Sequence, residues 1–101
     1  MAELTVSTPG SGQDGSLTLV ISGELDIASV PRFVALTACY ARASIRRLVM
    51  DVSGLTFADV AGLRALDTLR VQSERRNVTV ELAGASPHLS RLMTIFRLGA
   101  A

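Results

Sequence analysis

The chain has 101 residues, 49% of them hydrophobic, and 10 basic against 9 acidic side chains, for a formal net charge of +1. These values describe one globular domain and exclude a disordered segment. The near-neutral charge gives no electrostatic footprint for nucleic acid or anionic lipid. A single cysteine, Cys39, excludes an internal disulfide, and we expect it to be a small buried residue of a helix. The acidic start "MAELTVS" does not resemble a signal peptide, and no apolar run reaches membrane-spanning length, so we expect a cytoplasmic protein without direct membrane insertion.

The first quarter of the chain predicts a hairpin. Residues 4–7 alternate between apolar and polar side chains, as a short strand does. Residues 9–15 contain Pro, Gly and an Asp-Gly step and predict a loop. Residues 16–22 form a β-rich run that becomes continuously apolar, which is typical of a buried strand, and we expect Gly23 to end it.

A helix and a second buried strand follow. Ser29 is placed to cap the helix, and Pro31 lies in its first turn, where a missing N–H costs little. The residues at helical spacing are Val30, Phe33, Val34, Thr37, Ala38 and Ala41. The run "LVMDV" at residues 48–52 then predicts the next strand.

A second helix carries Leu63, Leu66 and Leu69 and ends at residues 75–77, and "VTVELAG" at 78–84 predicts the last strand. In the third helix Ser86 is the N-cap and Pro87 opens the first turn, while Gly99 marks its end. Its apolar face is formed by Leu89, Leu92, Met93 and Phe96. The order β-β-α-β-α-β-α over residues 1–101 predicts a single α/β domain with a small mixed β-sheet packed by helices.

The residues that could perform catalysis are isolated. Gly10-Ser11-Gly12 lacks the Lys-Ser/Thr pair and the helix of a phosphate-binding loop. His88 is the one histidine, no Gly-x-Ser-x-Gly elbow is present, and metal-ligand spacing is absent. Arg70, Arg75 and Arg76 lie among acids, which predicts a solvated helix face. The sequence therefore predicts no enzyme, no cofactor and no metal site.

Two strand-to-helix junctions remain, at residues 23–26 and 54–62. Since the carboxyl ends of parallel strands meet at one edge of a sheet, we expect Asp26 and Asp59 to be neighbours on an edge where such folds place ligands and partners. Asp59 also has a structural interpretation, because it can cap the next helix by accepting from the N–H of Ala61 or Gly62. A glycine in a first helical turn costs roughly 0.5–1 kcal/mol against alanine. Gly62 therefore indicates the close approach of another backbone or of a partner.

The stretch "LVMDVSGLTFADVAGLRAL" resembles the signature of STAS domains, in particular the bacterial anti-sigma factor antagonists. "VISGELDIASVPRF" is similar to the Gly-Glu-Leu-Asp segment that follows an earlier strand in that family. The resemblance covers nearly the whole chain. It implies a protein-interaction module that binds an anti-sigma factor, often a serine kinase, and so frees a sigma factor.

Carried over residue by residue, the resemblance implies partner binding at Asp26, Asp59, Val60, Ala61 and Gly62. Val60 and Ala61 occupy the two serine positions of the family motif, and the serine directly before the glycine is the one that the kinase phosphorylates. Alanine has no hydroxyl, so the resemblance implies no phosphorylation at position 61.

The lost acceptor leaves three consequences open: permanent binding, control by a partner's state or by abundance, or a role outside sigma control. Ser53 and Thr56 are nearby hydroxyls, but neither occupies the motif position. The resemblance also allows a second interpretation, a small STAS subunit bound to the ATPase of a lipid ABC transporter. A weak homodimer stays open as well.

Overall fold

A computed structural model describes residues 3–9, 14–42 and 44–97, with the backbone alone at 41, 42, 96 and 97. The predicted Gly10–Gly12 loop, the Gly99 stop and the side chain of Phe96 lie outside this description. The elements are β1 (Thr5–Ser7), β2 (Ser16–Leu25), α1 (Val30–Thr37), a 3-10 helix (Ala38–Arg42), β3 (Arg47–Ala58), α2 (Val60–Arg75), β4 (Thr79–Ala83) and α3 (Pro87–Arg97).

Within the described residues, four strands form one sheet in the order β1-β2-β3-β4. β1 pairs antiparallel with β2, whereas β2 with β3 and β3 with β4 are parallel. The predicted α/β fold with a small mixed sheet and three α-helices is confirmed, and so is the initial hairpin.

The helices cover one face of this sheet. Along β2 every second residue is buried and those between are half-buried. The buried side chains of β2 and β3 join Phe33 of α1, Leu66 of α2 and Met93 of α3 in one aliphatic core. On the other face, Val49 is half-buried and Glu81 is exposed. One face of the sheet therefore packs against helices, while the other is largely polar and accessible.

The prediction that Gly23 ends β2 is wrong, because the strand continues to Leu25. Gly23 has a φ of 96°, and a side chain there would collide with the backbone carbonyl of Glu3. Glycine adopts this backbone conformation without a Cβ penalty. It allows the segment before β1 to cross close to the strand without interrupting it.

β3 is longer than the predicted 48–52, since it runs on through the stretch that we expected to be a loop. The register is Val20↔Asp51, Ser22↔Gly54, Gly23↔Leu55 and Glu24↔Phe57. β3 thus has an extra residue at two places, which are β-bulges. At the first, the Asp51 carboxylate accepts from the N–H and the hydroxyl of Ser53, at 3.0 and 2.8 Å. At the second, the Thr56 hydroxyl donates to the Gly23 carbonyl at 3.2 Å.

Two further expectations are wrong: a buried Cys39 within the first helix, and a solvated Arg70. α1 ends at Thr37, whose hydroxyl donates back to the Phe33 carbonyl at 2.8 Å, and the 3-10 helix that follows leaves Cys39 exposed. Arg70 is 8% exposed rather than solvated. Its guanidinium pairs with Asp67 at 2.8 Å and Glu74 at 2.6 Å, and this double pairing compensates the burial of its charge.

The predicted start of α3 and the predicted end of α2 are confirmed. The Ser86 side chain accepts from the N–H of Leu89 at 3.1 Å, so it caps α3. α2 ends at Arg75, Arg76 is its C-cap residue, and the following Asn77 has a left-handed φ of 63°. β4 is shorter by a residue at each end than the predicted 78–84.

Candidate partner-binding site

β2 and β3 end side by side. Glu24 pairs with Phe57, and Leu25 pairs with Ala58 at the last step of the parallel ladder. The segments that follow, which contain Asp26 and Asp59, therefore leave the sheet at the same edge, and the predicted juxtaposition of the two junctions is confirmed. We call the surface formed by residues 26–29 and 57–61 the docking edge.

Asp59 holds the two sides of the docking edge together. Its Oδ1 accepts from the N–H of Gly62 at 2.8 Å, which confirms the predicted helix cap. Its Oδ2 accepts from the N–H of Ile27 at 3.0 Å. The Asp59 N–H also donates to the Leu25 carbonyl at 3.3 Å. One carboxylate thus joins the start of α2 to the segment after β2.

Asp26 has a local role in the same edge. Its Oδ1 accepts from the N–H groups of Ala28 and Ser29, both at 3.0 Å. Ser29 precedes α1 as predicted, but its side chain makes no cap hydrogen bond to that helix. The Ser29 hydroxyl instead donates to the Glu24 carbonyl and accepts from the Asp26 N–H, both at 2.9 Å. The turn from residue 26 to residue 29 is therefore held by side chains at both of its ends.

Gly62 is buried and faces the protein's own β2. A Cβ built on it would collide with the Leu25 carbonyl, whose carbon would lie 2.8 Å away. The close approach that the sequence indicated at this position is therefore made by the chain itself. A contact between Gly62 and a partner stays a prediction, and the buried glycine offers little surface for it.

Three large apolar side chains stand out from the docking edge. Ile27 is 76% exposed, Val60 54% and Phe57 52%. Sequence reasoning singled out Val60 but not Ile27 or Phe57. The signal for Ile27 was available in "DIAS" at residues 26–29, where an isoleucine lies between an acidic residue and two small ones in a junction. Exposed apolar side chains that lie close together mark interaction sites more often than scattered ones do.

Ala61 follows Val60 at the start of α2 and is half-buried. Its methyl group lies at the end of a groove between α1 and α2. The nearby hydroxyls of Ser53 and Thr56 are exposed, and each is engaged in the hydrogen bond of a β3 bulge.

Asp51 lies at the first bulge of β3, before the strand reaches the docking edge. The hydrogen bonds from the Ser53 N–H and hydroxyl hold the pKa of Asp51 below its ordinary value of 3.8.

In the part of the chain that the structure describes, no group of three or more His, Cys, Asp or Glu residues could hold a metal ion. His88 is exposed at the start of α3. None of the helices among the described residues is long and apolar enough to cross a membrane.

Residues 11–100 match the protein family described as "Mlab, STAS domain". The chain belongs to the STAS family. The predicted resemblance is thereby confirmed at the level of the family. Comparison with curated protein sequences gave no significant match.

Solved STAS structures are similar to the chain over most of its length. The STAS domain of an antisigma-factor antagonist from Rhodobacter sphaeroides is 28% identical, with 85% of this chain and 95% of that one covered and a TM-score of 0.73. An anti-sigma factor antagonist from Mycobacterium paratuberculosis is 21% identical, with 97% and 81% covered and a TM-score of 0.77. The murine anion transporter Slc26a9 is 18% identical, with 93% of this chain but 18% of the transporter covered and a TM-score of 0.77. The last two likenesses concern the fold alone.

Proposed function

We propose that this STAS domain is an anti-sigma factor antagonist-like module, which binds an anti-sigma factor of the serine kinase type and so frees a sigma factor. The observation that supports this most is the 28% identity to an antisigma-factor antagonist, of which 95% is covered. Two domains that match over most of their length can present the same edge to the same class of partner. The docking edge also exposes three large apolar side chains, as a protein-binding surface requires.

Binding energy comes from the exposed apolar side chains of the docking edge. Full burial of an isoleucine, valine or phenylalanine is worth about 1.5–3 kcal/mol, and Ile27, Phe57 and Val60 are each more than half exposed before binding. The carboxylates of Asp26 and Asp59 accept hydrogen bonds from backbone N–H groups of this chain. They therefore act mainly by shaping the edge, while the apolar side chains contribute the contact area.

Ala61 removes the regulatory serine from this surface. A phosphoryl group at this position would add about −1.5 to −2 charges beside Asp59 and would oppose docking. With alanine the docking edge keeps one charge state, so the complex responds to the partner's state or to the abundance of the two proteins.

Incubation with a kinase-type anti-sigma factor and radiolabelled ATP tests this proposal. We expect a complex with the wild type but no label on it, and label on Ala61→Ser. Ser53→Ala and Thr56→Val serve as controls, because both hydroxyls lie on β3, the strand that leads into the docking edge, and outside the motif position. Label on the wild type that either control removes would contradict the loss of the switch, and no complex with any anti-sigma factor of the source genome would contradict the function.

A second candidate is a small STAS subunit bound to a transporter ATPase. One observation favours it: the matching family is described by the name Mlab rather than as an antagonist. Isothermal titration of the purified chain against an anti-sigma kinase and against the ATPase of a lipid transporter separates the two candidates. Ile27→Asp should abolish whichever of the two complexes forms.

A further inference from the structure

A groove of about 540 Å³ lies between α1 and α2. The described residues that line it are Val30, Phe33, Val34, Thr37, Ala38, Ala61, Arg64, Ala65, Thr68, Leu69 and Gln72. Along each helix these residues recur every three or four positions, so each helix presents one continuous face to the groove. Three of the lining residues, Ala38, Ala61 and Ala65, have short side chains, which leave room between the two helices.

The groove is apolar with one cationic group. Phe33 and Leu69 belong to the buried core, and Val34 on the same helix as Phe33 is 56% exposed. Among the described lining residues, Arg64 is the one ionisable side chain, and it is exposed. The four salt bridges found among the described residues are made by Arg32, Arg47 and Arg70, and none of them involves Arg64.

This combination is typical of a small-molecule site. Ligand pockets have volumes of about 300–1,000 Å³, are lined mainly by apolar side chains, and contain a few polar groups that orient the ligand. The lining fits an aliphatic chain, and the guanidinium of Arg64 fits a carboxylate, which it can bind through two parallel hydrogen bonds. A cationic ligand would find no acidic side chain among the described lining residues.

We propose that the α1–α2 groove binds an anionic amphiphile with a single aliphatic chain, such as a medium-chain fatty acid. The carboxylate pairs with Arg64, and the chain lies along Ala65 and Val34. This inference goes beyond the proposed function, because it concerns a ligand rather than the protein partner. Ala61 borders both the groove and the docking edge, so a bound amphiphile would alter the surface offered to a partner.

Isothermal titration with sodium dodecanoate, below its critical micelle concentration, tests the charge part of the proposal. We expect saturable binding at one site per chain. Arg64→Gln should weaken it about tenfold through loss of the charge-assisted hydrogen bonds. Arg75→Gln is the matched control, because Arg75 is exposed on the same helix but does not line the groove, and it should leave the affinity unchanged. Equal affinity for dodecyltrimethylammonium would overturn the proposal.

Filling the groove tests the location. Ala65→Leu places a larger side chain in the space and should lower dodecanoate affinity more than tenfold, whereas Ala35→Leu adds the same atoms at an exposed position of α1 outside the groove and should not. A second measurement needs no variant. When dodecanoate is added to the wild type, changes in the amide NMR chemical shifts should be confined to α1 and α2. Absence of saturable binding, or shifts centred on another surface, would overturn the proposal. So would a result in which Ala65→Leu weakens a protein partner while dodecanoate does not bind, because the groove would then be a protein-docking surface.

Discussion

Asp59 shows how one side chain can serve the fold and the surface at once. Its two oxygens accept from Gly62, three positions on, and from Ile27, which is 32 positions away. The first bond could be predicted from sequence, because helix capping depends on local spacing. The second could not, since it exists only when β2 and β3 pair in this parallel register.

We predict that Asp59→Ala lowers the free energy of unfolding by about 2 kcal/mol, because the loss of a helix cap costs about 1 kcal/mol and the lost bond to Ile27 a similar amount. Urea denaturation followed by circular dichroism measures this. Asp59→Asn is the matched control. Its amide keeps one acceptor oxygen, so this variant should lose only about half as much unfolding free energy as Asp59→Ala. Unchanged stability in Asp59→Ala would show that neither hydrogen bond matters to the folded state.

Gly62 corrects an inference made from residue type alone. A glycine in the first turn of a helix indicated a close approach, and a close approach is present, but the backbone involved is that of Leu25. The glycine in the sequence shows that another group comes close to position 62, but it does not show which group that is. A bulky substitution at Gly62 therefore disturbs the fold first, and it cannot be used to separate binding from stability.

Among the elements, β3 departs most from its sequence pattern. Alternation of apolar and polar residues predicts strands, and a bulge shifts that alternation by one position. With two bulges in the second half of β3, "SGLTFA" no longer reads as a strand, although it pairs with β2 up to Ala58. The regular half of the strand could be predicted, and the bulged half requires the partner strand to be known.

The Asp51–Ser53 pair at the first bulge should make part of the stability pH-dependent. The pKa of Asp51 is lowered in the folded state from its ordinary value of 3.8. Its contribution is therefore complete above that value and is lost as the pH falls through the folded-state pKa. Because the carboxylate is partly hydrated, we expect a loss of less than about 1 kcal/mol.

Urea denaturation at pH 6 and pH 3 checks this expectation. The difference between the two unfolding free energies should be smaller in Asp51→Asn than in the wild type, and also smaller in Ser53→Ala, which removes the hydroxyl donor. Identical pH dependence in all three proteins would contradict a role for this pair.

At the scale of the whole molecule, the order of elements and the side-by-side junctions could be predicted, because strands that alternate with helices predict parallel pairing. The groove between α1 and α2 could not. It depends on how α1 and α2, whose facing residues lie about thirty positions apart in sequence, are placed against each other in the folded chain. The exposure of Ile27 and Phe57 likewise follows from packing rather than from composition.

The docking edge allows binding to be separated from stability. Ile27→Asp should reduce affinity for the partner by at least tenfold, because it puts a charge into a buried apolar contact, and it should leave the melting temperature nearly unchanged, since Ile27 is 76% exposed. Ile95→Asp is the matched control, because Ile95 is 56% exposed on α3, away from the edge. Titration calorimetry and thermal melting of both variants measure the two effects. A similar loss of affinity in Ile95→Asp would place the interface elsewhere.

The carboxylate bridge from Asp59 to Ile27 also bears on how a complex would form. Restricting one residue's backbone costs about 1–2 kcal/mol of conformational entropy. In this chain the turn at residues 26–29 is already immobilised when the protein folds, by bonds to Asp26, Ser29 and Asp59. A partner then binds a surface that is already ordered. Little conformational entropy is lost on binding, so more of the contact energy is kept as affinity. Association should therefore resemble the docking of two rigid bodies rather than coupled folding and binding.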